Sequence, residues 1–84
     1  MLPMARPSPT HSGSNQLVSL GKAIRVLRIA SDLSQEALAD EVGIDRSYMG
    51  GIERGEHNVA LVNLVKIARA LQITTAELLA KAKL

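Results

Sequence analysis

The 84-residue chain contains no cysteine, no tryptophan and no phenylalanine, and its single aromatic residue is Tyr48. The absence of cysteine excludes a disulfide framework and any thiolate metal site, and it fits a reducing cytoplasm. With one aromatic side chain, a core must be assembled from Leu, Ile, Val, Ala and Met, which suits packed helices. Hydrophobic residues are 46% of the sequence, so such a core is attainable within one small domain. No apolar run approaches the roughly 18 residues of a membrane span. The first residues carry Pro3, Pro7 and Pro9 and lack the apolar block of a signal peptide. Catalytic groups are scarce as well. With no thiol, only His11 and His57, and no convincing nucleophile–base pair, an enzyme is not expected, nor a metal or cofactor.

Charge of one sign is also in short supply. The net charge is +2. Within residues 35–54, five acidic residues (Glu36, Asp40, Glu41, Asp45, Glu53) face only Arg46 and Arg54, a local balance of −3. A non-specific nucleic-acid binder carries a basic stripe, so binding to DNA would have to rest on a few well-placed groups. Lys22, Arg25, Lys66, Arg69, Lys81 and Lys83 restore the overall balance from the flanks.

What is present is helical periodicity. Residues 1–16 are polar and proline-containing with no period and are expected to be a disordered tail, leaving residues 17–84 as the folded domain. Leu20, Ile24 and Leu27 mark a first amphipathic helix ending near Ser31. Ser34 caps a second helix to about Val42, and a third runs from about Arg46 to Glu53. Gly55 stops it, and residues 56–59 form a loop. A fourth helix is expected from about Ala60 to Leu71, with Leu61, Leu64, Val65, Ala68 and Leu71 inward. Thr74 and Glu77 have the spacing of a capping box opening a fifth. No strand alternation and no internal repeat occur, so the fold class is all-α with five helices.

The segment QEALADEVGIDRSYMGGIER, residues 35–54, has the spacing of a helix-turn-helix. Leu38, Ala39 and Val42 share one face, and Gly43 stands where a helix ends in a left-handed turn. Ile44 plugs the turn, and Asp45 can cap the next helix. Met49 and Ile52 point back from that helix, and Ala39 is small where the two helices must nearly touch.

Together with IERG and LVKIARALQIT-x-x-ELL, this segment resembles the Xre-type family, which includes the phage lambda-type repressor and Cro DNA-binding domains. The resemblance covers about Leu20 to Leu79. DRSYMGGIERG is especially similar to the controller proteins of restriction–modification systems. It implies a lambda-repressor-like domain acting as a sequence-specific transcriptional regulator in the cytoplasm, on the nucleoid. Its partner would be a double-stranded DNA operator, bound as a homodimer. An antitoxin that binds a toxin enzyme is the alternative on the same fold.

The first residues of a recognition helix reach base edges, which here are Arg46, Ser47 and Tyr48. Arg46 can bond guanine O6 and N7 together. Gln35 opens the second helix, where free N–H groups favour a phosphate, and the resemblance implies a backbone clamp there. Arg54 and Asn58 frame the following loop as further phosphate contacts, with His57 an ordinary loop residue. The resemblance also implies an Arg28–Glu53 ion pair tying helix one to helix three. Leu79 is the candidate dimer contact. Val59 and Ala60 stand where the family often has Pro then Ser or Thr, so the fourth helix lacks a good cap. Gly50 and Gly51 weaken the recognition helix by about 1 kcal/mol each relative to Ala. Either tertiary contacts offset this, or a bare backbone lets the helix approach the bases closely.

Overall fold

A computed structural model of the chain describes residues 13–84. Five helices follow in order: α1 (Asn15–Ala30), α2 (Gln35–Val42), α3 (Arg46–Glu53), α4 (Leu61–Ala70) and α5 (Thr75–Lys81). There is no strand among the described residues.

Each helix start but one is fixed by a side-chain cap. Ser14 accepts from the Leu17 N–H at 3.4 Å, Ser34 from Ala37 at 3.0 Å and Asp45 from Ser47 at 2.9 Å. Thr74 and Glu77 cap one another at 3.0 and 2.9 Å, the reciprocal box that their spacing predicts. The exception is α4, where Ala60 holds the cap position and offers no acceptor. Gly43 ends α2 at φ +82°, a conformation in which a Cβ would crowd the backbone. The Gly43 and Ile44 N–H groups both return to the Ala39 carbonyl, at 2.8 and 3.0 Å.

The core takes one or two large apolar residues from every helix: Ile24, Leu38, Met49, Ile52, Ile67 and Leu78 are fully buried. Helix α1 packs on α3 and α5, α2 on α3 and α4, and α4 on α5. Helix α3 is thus braced from two sides, by α1 and by α2. At Gly21 the approach is backbone to backbone, because a Cβ there would lie 2.5 Å from the Glu53 carbonyl oxygen.

Two expectations are corrected. The folded chain begins before residue 17: α1 starts at Asn15, Ser14 caps it, and the Gly13 N–H donates to the Gly55 carbonyl at 2.8 Å. These bonds order residues that composition alone assigns to the tail; residues 1–12 lie outside the described residues. Leu61, expected inward, is 69% exposed, and Ile67 is buried instead. The helix is apolar around much of its circumference, so the stripe cannot be phased from spacing alone, and no neighbouring element covers its first turn.

Candidate nucleic-acid interface

The first turn of α3 projects from the body of the fold, with Arg46 and Ser47 exposed and Tyr48 half-buried. Asp45 holds this turn. Its carboxylate accepts from the Ser47 N–H and also from the Ser47 hydroxyl. These hydrogen bonds, with the neighbouring Arg46 charge contributing least, hold the Asp45 carboxyl below the usual carboxylate range. The Ser47 hydroxyl proton is therefore engaged, which leaves the exposed oxygen as an acceptor.

Behind α3 lies a hydrogen-bonded charge network. Arg28 Nε donates to Glu53 Oε2 at 2.6 Å and Nη2 donates to Oε1 at 3.0 Å, a bidentate pair with side-chain exposures of 11% and 3%. Arg28 Nη1 also donates to the Leu33 carbonyl at 2.9 Å, and Gln35 Nε2 donates to Glu53 Oε1 at 3.0 Å. Helices α1, α2 and α3 thus meet at one carboxylate, and Arg28 ties the α1–α2 turn to the same network. The Glu53 hydrogen bonds raise the Arg28 pKa further. One of the two amide N–H donors of Gln35 is spent internally, which orients its amide at the start of α2. Sequence spacing does not reveal this link from Gln35 to Glu53.

Arg54 is exposed and donates to Glu56 through Nε and Nη2, at 2.8 and 3.1 Å. The pairing raises the Arg54 pKa and lowers that of Glu56. Gly50 lies between two expected phosphate contacts: a Cβ there would be 3.1 Å from Arg54 Nη1 and 3.5 Å from Gln35 Oε1. The fold thus brings Gln35 and Arg54 to one place over Gly50. Asn58 is exposed in the loop beyond, and Leu79 lies on α5, half-buried against the core.

His57 is not an ordinary loop residue. It is 4% exposed and meets the Tyr48 ring edge-on, with centroids 4.7 Å apart and planes at 63°. A Cβ on Gly51 would lie 2.4 Å from its Nε2. Gly51 therefore faces the protein rather than open space, and its missing side chain makes room for the imidazole. Burial is the main cause that lowers the His57 pKa; Arg54 adds to it and Glu56 opposes it. No local pattern signals this packing, which depends on where the chain returns after α3. Among the described residues no group of His, Cys, Asp and Glu could hold a metal ion, and no helix is long and apolar enough to cross a membrane.

Known proteins resemble this chain in sequence and fold. The chain is 45% identical over 62 residues to the control protein C.MunI of Mycoplasma sp, a match spanning 73% of this chain and 84% of that one. It is 40% identical over 67 residues to the control protein C.BamHI of Bacillus amyloliquefaciens, spanning 79% and 83%. The crystal structure of the restriction–modification controller protein C.AhdI from Aeromonas hydrophila superposes with a TM-score of 0.72 at 56% identity, covering 74% of this chain and 94% of that one. The helix-turn-helix family matches residues 24–78, from the middle of α1 into α5. With its five helices, its braced α2–α3 unit and this extent of likeness, the chain belongs to the helix-turn-helix family, alongside the restriction–modification control proteins.

Proposed function

We propose that the protein is a sequence-specific transcriptional regulator that controls restriction–modification genes, binding a two-fold DNA operator as a homodimer in the cytoplasm. The observation that carries this reading is the exposed first turn of α3. It presents Arg46 beyond the fold while α1 and α2 hold the body of the helix still. A recognition helix inserted by its N-terminal turn would let Arg46 take both guanine acceptors in the major groove. Ser47 would accept from a base amino group, and Tyr48 would meet a thymine methyl or a phosphate. Gln35, Arg54 and Asn58 would grip the backbone on either side. The named relatives are control proteins, and none supports a toxin as partner.

The charge layout agrees with recognition by few contacts. Lys66 and Arg69 line one cleft with Glu41, on the side where α2 meets α4, so they offset the acidic helix rather than adding a basic stripe to α3. An operator selected by the protein from random-sequence duplexes, with its single-base variants, provides the test. Arg46→Ala should cost about 1–3 kcal/mol per half-site and relax preference at one base pair only. Gln35→Ala should weaken all sequences alike, since a phosphate carries no base information. If Arg46→Ala weakens every variant equally, Arg46 anchors the backbone and does not read bases.

A further inference from the structure

We propose that His57 is a positioning residue for Tyr48, its neutral imidazole holding the phenol ring where it meets the DNA; this rests on the reading of Tyr48 as an operator contact. Tyr48 and Gly51 are three residues apart and share a face of α3. The His57 ring lies against both, edge-on to Tyr48 and in the space where a side chain at residue 51 would stand. Any residue but glycine there would drive the ring out.

The loop leaves the imidazole little freedom. The chain turns through Gly55 at φ +78°, packed against Val18 of α1. The Glu56 N–H donates to the Gly51 carbonyl at 2.9 Å, and the Arg54–Glu56 pair restrains the turn from outside. His57 Nε2 is buried and has no hydrogen-bond partner among the described residues. Burying a polar nitrogen without a partner is unfavourable, so a residue that only filled the niche would be better apolar. What the imidazole supplies instead is an aromatic ring against the one tyrosine of the chain.

Burial, and not the ring contact itself, favours the uncharged imidazole. Among the described residues, the Tyr48 phenol of α3 meets the His57 ring, and the Glu56 carboxylate and Arg54 guanidinium of the turn after it act on its charge. Glu56 is already engaged by Arg54. Among the described residues Nε2 has no acceptor for an added proton, so charging the buried ring draws the imidazole toward water and frees Tyr48. Tyr48-dependent binding should therefore fade as the pH falls below the ordinary histidine range.

The test is a double-mutant cycle on the full chain, by fluorescence anisotropy with the selected operator duplex at fixed salt. At pH 7.5, His57→Ala should weaken binding by about 2- to 12-fold, the range that an aromatic pair is worth. In a Tyr48→Ala background it should cause no further loss. Wild-type affinity should hold from pH 7.5 to about 6.5 and fall only below that, whereas His57→Phe, which keeps a ring that cannot titrate, should bind tightly and stay flat. Equal losses from His57→Ala with and without Tyr48, or a pH profile shared by wild type and His57→Phe, would overturn the proposal. A Tyr48→Ala protein that binds like wild type would instead refute Tyr48 as a contact, and the positioning role with it. A readout free of DNA guards against misfolding. Tyr48 is the only tyrosine and there is no tryptophan, so the near-ultraviolet dichroism band reports on Tyr48. It should collapse in His57→Ala while the far-ultraviolet spectrum persists, and return in His57→Phe; a band unchanged in folded His57→Ala would also sink the idea.

Discussion

At the scale of single residues, Glu53 does the most to hold the recognition unit together. Its carboxylate accepts from Arg28 twice and from Gln35 once, and only 3% of its side chain is exposed. Breaking a buried pair from one side strands a charge, at roughly 3–5 kcal/mol. Glu53→Gln and Arg28→Met should each lower stability by an amount of that order, and the double mutant should lose clearly less than their sum. Chemical denaturation of the three variants measures this coupling; strict additivity would show that the pair contributes little. His57 gives a second residue-scale prediction. The unfolded chain takes up its proton near pH 6.5, and the folded chain takes it up only at lower pH because burial opposes the charge. Between those two values the unfolded state binds more protons, so stability must fall as the pH drops through that window. Melting temperatures from pH 8 to 5 should decline more steeply for wild type than for His57→Phe.

At the scale of helices, what could be read in the sequence was local, and what could not was tertiary. Ser34, Asp45 and the Thr74–Glu77 box mark helix starts because each cap bonds a backbone group two or three residues away. Gly43 marks a stop for the same reason. Gly21 carries no such signal: its role lies in the carbonyls of Ile52 and Glu53, which a Cβ would meet at 2.6 and 2.5 Å. Nor do Gly51 and His57, whose packing depends on the chain returning through Gly55. Backbone cannot swing aside as a side-chain tip can, so Gly21→Ala should force α1 from α3 and cost about 1–3 kcal/mol. Helix α4 offers the opposite case. Ala60 has φ −60° and ψ 143°, the same region as the four working caps, but no oxygen to offer. Ala60→Ser should gain about 1 kcal/mol, or about 4–8 °C in melting temperature for a domain of this size. Calorimetry of both variants should move in opposite directions.

At the scale of the whole molecule, the question is how one short helix secures useful affinity. A single domain of this size offers few contacts and covers its own apolar surface incompletely. Leu61 and Val62 stand side by side at the start of α4, 69% and 65% exposed, where the missing cap and the loop leave them uncovered. Leu79 on α5 is half-buried, and Leu84 beyond it is exposed. We propose that the homodimer face, expected on α5 at Leu79, also takes in the exposed residues at the start of α4. Two copies joined this way must place their recognition helices about 34 Å apart to meet one face of the DNA. Because Leu61 and Val62 are exposed in the single chain, replacing both by Glu should leave its melting behaviour in the monomeric state intact. It should convert the dimer to a monomer in sedimentation experiments through charge repulsion across the two-fold axis. Binding to a two-half-site operator should then fall to that of an isolated half-site, since the second contact no longer comes with the first. A doubly substituted protein that still sediments as a dimer would move the interface elsewhere, with exposed Val26 and Ile29 on α1 the next surface to charge. Wild-type protein that stays monomeric even on operator DNA would refute the dimer itself.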